Sequence, residues 1–369
     1  MRDKIEILLF LIFILIFGLG YLIFPQREIS EMENRYLSLC PEFHWKEFLN
    51  GEFSEDFESY TADQILGKDG FVKANVAVNR GLGVSRINQV YIGRDGYLIQ
   101  DYQEPDEVLE QNISYIQSFA RKNPEVDMTM LIIPNVNEIY PEKLPAFAAT
   151  YPQAEITGQL QRELGEDIRV VDGTASMLEH KEEYIYYKTD HHWTSLGAYY
   201  AYDTLCHSLG MEPTPLEAYE RLELTEPFYG SLYSKAPVVG QESDQVELFL
   251  NPSGEYTVSN PIKGTTSDSM FVMEHALKKD KYAVFFGGNE PLYIIESNSD
   301  NAEKVLIIKD SYANCLVPML ADQFGEIHMM DLRYYHEDVS AYLQEHDIQK
   351  VIFIHNVDFI STDNNFLWL

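Results

Sequence analysis

Asp190, His191 and His192 place a carboxylate and two imidazoles in three consecutive positions. Histidine titrates near neutral pH, and a carboxylate two residues away can hold one imidazole in a single tautomer, leaving its other nitrogen as a base. Such a base needs a nucleophile from elsewhere in the chain. Ser311 is the best candidate, because it follows the apolar run Val305-Leu306-Ile307-Ile308 at the point where a strand should turn into a helix. Its hydroxyl would then project from the sheet edge beside N–H groups able to face a developing oxyanion. The plainer reading of Ser311 is an N-cap that satisfies the first turn of that helix. The Asp-His-His cluster has two other readings, a divalent metal site or the decoration of a polar loop. No second histidine or cysteine cluster supplies further ligands at a usual spacing, so neither a metal nor a cofactor is expected.

These residues need a scaffold, and the chain around them alternates. Thr194 is placed to cap a helix running to about Leu209 and stopped by Gly210, which puts Asp190 and His192 in the turn entering it. Upstream, Arg94-Asp95-Gly96 separates two apolar runs as in a hairpin over Val90 to Ile99. A helix about Glu104 to Lys122, a strand Met128 to Ile133, a helix about Gln153 to Gly165 and a short strand Ile168 to Val171 follow. Downstream come a strand Lys304 to Ile308, a helix Tyr312 to Gln323, a strand Glu326 to Leu332, a helix Val339 to Glu345 and a strand Lys350 to Ile354. Continuous apolar strands separated by helices predict an α/β fold with a mostly parallel sheet and right-handed crossovers. Ligands of such sheets gather outside the carboxyl ends of the strands. Three polar segments fall there: Lys309 to Tyr312, Asp331 to Tyr335, and His355 to Asp358.

The chain has 369 residues, 45% of them hydrophobic, with 25 Tyr and 20 Phe, enough for a substantial core. A formal net charge of -32 argues against nucleic acid as a partner, since a phosphate backbone needs clustered Lys and Arg. Cys40, Cys206 and Cys315 are odd in number and widely spaced, which gives no disulfide framework; one Cys206–Cys315 bridge is conceivable but unsupported. Ile5 to Phe24 is a nearly unbroken apolar run with Glu6 near its start, and about 20 helical residues match a hydrocarbon core of roughly 30 Å. Arg2 and Lys4 on its short side keep that end in the cytoplasm and turn the remainder outward. The run exceeds the roughly 7 to 15 residues of a signal-peptide core, and Phe24-Pro25-Gln26-Arg27 offers no small-x-small cleavage site, so an uncleaved anchor is expected. After this tip and anchor, residues 1–24, a stalk or connector is expected over 25–100, with amphipathic helices about Trp45 to Phe48 and Phe53 to Tyr60 and the hairpin at its end.

Thr189-Asp190-His191-His192-Trp193-Thr194, followed by Leu196-Gly197-Ala198-Tyr199-Tyr200, and later Ile308-Lys309-Asp310-Ser311-Tyr312-Ala313-Asn314, resemble the DHHW protein family. That family is similar to the SGNH-like acetyltransferase domains of the alginate O-acetylation proteins. The resemblance covers roughly Asp101 to the C-terminus, touches Phe228 to Lys235 and Phe286 to Asn289, and is loose between the motifs. It implies an SGNH-hydrolase-like three-layer sandwich with a mostly parallel sheet, in which the D-x-H pair precedes the serine in a circularly permuted order. One transmembrane helix would precede it. Residues 101–369 become an SGNH-like catalytic domain with an insertion at about 211–303, which has strand-like runs at Val246 to Leu250 and Tyr282 to Phe286. The insertion's tyrosines could line a glycan groove or cover one face of the sheet.

By this resemblance Asp190 orients His192, His192 activates Ser311, and an acetyl-serine intermediate forms. SGNH enzymes carry an oxyanion glycine after the second strand and an asparagine after the third. Here Asn356 ends the third strand, but Asp331-Leu332-Arg333 ends the second without a glycine. Arg333 could replace the missing donor or grip an acidic sugar; Gly288-Asn289 is a rival donor pair that a plain turn explains equally. His191 would stand behind the site or face solvent, and Trp193 would be core packing or a sugar-stacking platform. The implied protein is a bacterial, single-pass cell-membrane protein whose main domain lies outside and O-acetylates a cell-surface or exported polysaccharide. A membrane-bound O-acyltransferase would supply the acetyl group. With water as acceptor the same residues make an acetylesterase, and a non-catalytic glycan-binding or scaffold protein of an envelope polysaccharide assembly is the alternative from another class.

Overall fold

The computed structural model describes residues 2–369. They form two compact units, one reaching to Asn88 and including Tyr233–Gln241, the other comprising Gln89–Leu232 and Glu242–Leu369.

The N-terminal part of the first unit is built from helices α1 (Arg2–Ile23), α2 (Trp45–Asn50), α3 (Glu52–Gln64) and α4 (Lys68–Gly81). Lys4–Ile23 of α1 is long and apolar enough to cross a membrane, by length and composition. Gly51, at φ +93, makes the left-handed turn that ends α2 and starts α3. An ion cluster around the buried Asp63 ties the connections together: its carboxylate accepts from the half-exposed Arg35 at 2.6 Å, from the buried Lys68 at 2.8 Å and from the Ser38 N–H at 2.9 Å. Arg35, then Lys68 and Ser38, overcome burial and hold the Asp63 carboxyl well below the usual range.

The second unit is built on an eight-stranded sheet. Its strands are β3 (Asp127–Ile133), β4 (Arg169–Asp172), β5 (Tyr256–Asn260), β6 (Thr265–Ser267), β7 (Leu292–Ser297), β8 (Lys304–Lys309), β9 (Glu326–Met330) and β10 (Lys350–Asn356). A short hairpin, β1 (Val90–Ile92) with β2 (Leu98–Gln100), precedes them, as the Arg94-Asp95-Gly96 turn predicts. The order across the sheet is β6-β5-β7-β9-β8-β10-β3-β4. The five strands from β9 to β4 run parallel, whereas β7, β5 and β6 add an antiparallel edge. Alternation along β8 assigns the faces: Val305 and Ile307 enter one hydrophobic core, Leu306 and Ile308 the other. Helix α5 (Glu107–Lys122) brings Ile113, Ile116 and Phe119 to the second core, joined there by α6 (Gln153–Leu164) and α8 (Val339–Glu345). Helix α7 (Ser195–Leu209) brings Ala201, Tyr202 and Leu205 to the first. Helices therefore cover both faces, and each fully buried aliphatic side chain contributes roughly 1.5–3 kcal/mol relative to exposure.

Several expectations are corrected. The helix expected over Tyr312 to Gln323 is a single 3-10 turn, Ser311–Cys315, followed by Val317–Leu320. Pro318 explains the break, since it has no N–H and its ring would meet the carbonyl four residues back in a continuous α-helix. The run Tyr282 to Phe286 is a 3-10 turn, Tyr282–Val284, rather than a strand, and Phe286 leaves it at φ +61. The stretch read as an insertion supplies β5, β6 and β7 to the main sheet, and Tyr219 and Tyr282 are buried in its first core. Cys206 and Cys315 are separate buried thiols, so no bridge joins them.

Candidate active site

Ser311 stands at the carboxyl end of β8, and the residue before it fixes its place. Asp310 is the true cap of the 3-10 turn: one carboxylate oxygen accepts the Tyr312 N–H at 2.8 Å, and the other accepts the Asn356 N–H at 2.7 Å. That corrects the N-cap reading of Ser311, whose hydroxyl is left for another partner. It also ties the end of β8 to the end of β10. Burial pushes the Asp310 carboxyl up to about 6, despite these two N–H donors.

The Asp-His-His turn is part of the loop closed by a strand-like bridge of Tyr186 with Trp193, just before the start of α7. Thr194 caps α7, accepting the Gly197 N–H at 3.3 Å, as the sequence predicts. Asp244 holds the turn from below by accepting the N–H groups of Lys188 and Thr189 at 2.8 and 2.7 Å, with the Tyr184 and Thr189 hydroxyls beside them. Asp190 Oδ1 faces His192 Nδ1 at 2.5 Å and accepts the His192 N–H at 3.0 Å, while its Oδ2 accepts the Ser231 N–H at 2.7 Å. His192 Nε2 lies 2.8 Å from Ser311 Oγ. An Nδ1–H shared with Asp190 leaves Nε2 unprotonated and able to accept the Ser311 hydroxyl proton.

Burial pushes the Asp190 carboxyl up, but His191, His192 and the Ser231 N–H outweigh it and hold the group well below the usual range. The acid is therefore ionised and faces an imidazole, the arrangement that stabilises an imidazolium once the proton has moved. The Tyr282 ring stacks on His192 at 3.8 Å and 10°, and its hydroxyl donates to the Ser311 carbonyl at 3.0 Å. Gly230 leaves room for the acid, because a Cβ there would lie 2.3 Å from both Asp190 Cβ and Oδ2.

A cleft of about 260 Å³ opens beside Ser311, lined by His191, Asp310, Tyr312, Arg333, Asn356, Asp358, Phe359, Thr362 and Asp363. Ser311, Arg333 and Asn356, expected at three different strand ends, therefore share one cleft. Arg333 grips Asp331 with Nε at 2.9 Å and Nη2 at 2.6 Å, and its guanidinium lies 5.2 Å from the Phe359 ring centre. Asp331, fully buried, also pairs with Lys309 at 3.2 Å. Burial pushes Asp331 up, but Lys309 and Arg333 pull it below the ordinary carboxylate value. The Asn356 amide donates to the Ile133 carbonyl at 3.2 Å and its oxygen caps Asp358 at 2.9 Å, which leaves a second amide hydrogen.

The other expected residues lie elsewhere. The Gly288 N–H donates to the Phe285 carbonyl at 3.2 Å and its φ is +107, while Asn289 accepts from Lys309 at 2.8 Å and Asn314 at 3.1 Å. That pair forms the plain turn and supplies no donor to the cleft. Trp193 is 0% exposed and donates to the Tyr312 carbonyl at 3.0 Å, so it packs the site from behind and cannot stack on a sugar. Asp190, His191 and His192 bring potential metal-ligand atoms within 4.8 Å of one another. Those atoms are engaged: His191 Nδ1 with Ser231 Oγ at 2.7 Å, and His192 with Asp190 and Ser311. Gly230, Ser231, Tyr282 and Asp310 take their parts at the site through tertiary contacts that the sequence does not display. Only Asp310, next to Ser311 at a strand end, carried a local signal, that of a helix cap.

The model of the DHHW protein family matches residues 161–330, a span that holds Asp190, His192 and Ser311. No curated protein matches the chain. Among solved structures, a DHHW family protein from Eubacterium siraeum is 26% identical, with 77% of this chain and 95% of that chain covered and a TM-score of 0.68. Bacillus cereus PatB1 is 23% identical over 73% of this chain and 97% of its own, at a TM-score of 0.64. The O-acetyltransferase domain of Pseudomonas putida AlgJ is 16% identical over 74% and 93%, at a TM-score of 0.48. Over the segment that carries both motifs, this chain resembles the DHHW protein family.

Proposed function

We propose that the protein is an SGNH-like O-acetyltransferase, held on the outer side of a bacterial cell membrane by α1, that acetylates a cell-surface or exported polysaccharide. The observation that carries the reading is the hydrogen-bonded line from Asp190 through His192 to Ser311, ending on an open cleft. The match to the DHHW family over both motifs supports it. In this reading Ser311 Oγ attacks the acetyl carbonyl of a donor ester as His192 Nε2 takes its proton, and Asp190 stabilises the resulting imidazolium. Collapse of the tetrahedral adduct breaks the donor C–O bond, and His192 returns the proton to the departing alkoxide. A sugar hydroxyl then attacks the acetyl-serine, with His192 again as base, giving the O-acetyl sugar and free Ser311. Candidate donors to the oxyanion are the remaining Asn356 amide hydrogen and Arg333, which line the same cleft.

The order of the motifs, with Asp190 and His192 before Ser311, is taken as a circular permutation of the SGNH arrangement. A membrane-bound O-acyltransferase would deliver acetyl groups to this side of the membrane. Water in place of the sugar makes the same residues an acetylesterase. Incubation with p-nitrophenyl acetate and neutral oligosaccharides tests the reading. Phenolate release should be abolished by Ser311→Ala and by His192→Ala, and an acceptor oligosaccharide should speed turnover and gain 42 Da per acetyl by mass, roughly as group transfer requires. Wild-type protein as inert as both variants contradicts it and favours a glycan-binding scaffold.

A further inference from the structure

Helix α1 does not stand alone in its unit. The Phe17 ring lies 5.8 Å from that of Phe71 in α4, and the Tyr21 ring 5.8 Å from that of Tyr60 in α3. The Tyr21 hydroxyl donates to the Thr61 carbonyl at 2.6 Å, and a Cβ on Gly20 would lie 3.4 Å from Leu66 Cβ. At about 1.5 Å per residue, Phe17 is roughly 10 Å below the end of the apolar run at Phe24. The part of that run before Phe17 spans only about 18 Å, too short for a hydrocarbon core of roughly 30 Å. If α1 crosses a bilayer with its packing intact, Leu66 and Phe71 therefore go into the outer leaflet with it.

The surface around these contacts has the composition for that place. Phe43, Trp45, Phe48, Phe57 and Phe71 are 44–70% exposed. Their rings form a connected series, Trp45 to Phe43 at 5.1 Å, Phe43 to Phe53 at 5.3 Å, Phe53 to Phe57 at 5.9 Å and Phe57 to Tyr60 at 5.8 Å, which ends at the ring beside Tyr21. Soluble surfaces seldom leave so many neighbouring rings in water, whereas aromatic side chains are enriched at membrane interfaces. Exposed Glu52, Glu55, Asp56 and Glu58 share α3 with Phe53 and Phe57, giving the helix a polar side to keep in water.

We propose that α2, α3 and α4 form an interfacial collar whose aromatic face lies in the headgroup and acyl boundary of the bilayer that α1 spans. The occupant of this face is lipid. The proposal rests on the membrane-anchored reading given above. Because the acidic residues of α3 repel anionic headgroups, attachment comes from apolar insertion and persists in zwitterionic lipid at high salt.

The test uses the full chain reconstituted in phosphatidylcholine bilayers brominated at known acyl depths, with Trp45 as reporter. Trp193 is fully buried, and Trp368→Phe removes the remaining partly exposed indole. Bromines near the headgroup should quench most of the Trp45 emission, iodide in the water should quench little, and the bromine effect should vanish in Trp45→Phe/Trp368→Phe. Quenching by iodide without quenching by bromines overturns the collar. Shielding from both quenchers also overturns it, because a protein, rather than lipid, then covers the face. Alkaline carbonate extraction separates the two levels: a chain that leaves the membrane refutes the anchor itself, whereas one that stays with Trp45 open to iodide refutes the collar alone.

Discussion

Gly230 offers the sharpest perturbation of the line that ends on Ser311. An added Cβ would lie 2.3 Å from Asp190 Cβ and Oδ2, whereas ordinary contact begins at 3.4 Å, so Asp190 must retreat by about 1 Å. Gly230 is not among the positive-φ glycines, so alanine meets no backbone strain there. The retreat lengthens the bonds to His192, now 2.5 Å, and to the Ser231 N–H, now 2.7 Å. A misplacement of about 1 Å in a reacting constellation costs on the order of 10²-fold in rate, or about 2.7 kcal/mol. Overpacking should cost about 1–3 kcal/mol of stability, which the urea midpoint reads independently. Stopped-flow measurement of the p-nitrophenolate burst should thus show Gly230→Ala acylating about 10²-fold more slowly while still folded. The double variant Gly230→Ala/Asp190→Asn should fall no further than Asp190→Asn alone, because both act through one carboxylate. A burst at the wild-type rate in Gly230→Ala, or additive losses in the double variant, would refute this reasoning.

Other expectations follow from buried charges. Asp331→Asn leaves the buried Lys309 and Arg333 without the carboxylate they share and should destabilise the fold by about 3–5 kcal/mol in urea titration, whereas Lys309→Met/Asp331→Leu/Arg333→Met, which removes all three charges, should recover much of that loss. Asp310 has its carboxyl raised to about 6 by burial; its stabilising contribution is present below the unfolded value of about 4 and is lost as pH rises through about 6. Urea midpoints should show that downward slope in wild type and lose it in Asp310→Asn. Burial pushes the thiols of Cys206 and Cys315 up to about 12, while Cys40 is exposed. Iodoacetamide at neutral pH should therefore label Cys40 alone in the native protein and all three cysteines in denaturant, as intact mass would show.

The sequence made most of the parallel sheet legible, because β3, β8, β9 and β10 are short apolar runs bounded by charges and turns, and their neighbouring helices carry amphipathic patterns. Pattern failed where an apolar run is buried without being regular. Tyr282 to Phe286 has the composition of a strand, but its backbone makes a 3-10 turn that lays a ring on His192. The apolar run after Ser311 has the composition of one long helix, but Pro318 divides it into a 3-10 turn and a single helical turn. At the site, Asp190, His192 and Ser311 stood out by residue type, and the strand-end rule led to Arg333 and Asn356. Gly288, Asn289 and Trp193 each carry two readings in the sequence, and the structure takes the plainer one: the first two complete a turn, and the third is filled in behind the cleft. Gly230 and Tyr282 had no local signal of their parts, which arise only when segments distant in the chain meet around Asp190 and His192.

The central claim is that Ser311 becomes acetylated through His192. Brief treatment with p-nitrophenyl acetate, acid quench and tandem mass spectrometry of the peptide spanning Lys309 to Met319 tests it most directly. An acetyl group on Ser311 in wild type, absent in His192→Ala, is the predicted result; acetylation spread over lysines alone, with Ser311 unmodified in wild type, would contradict the account.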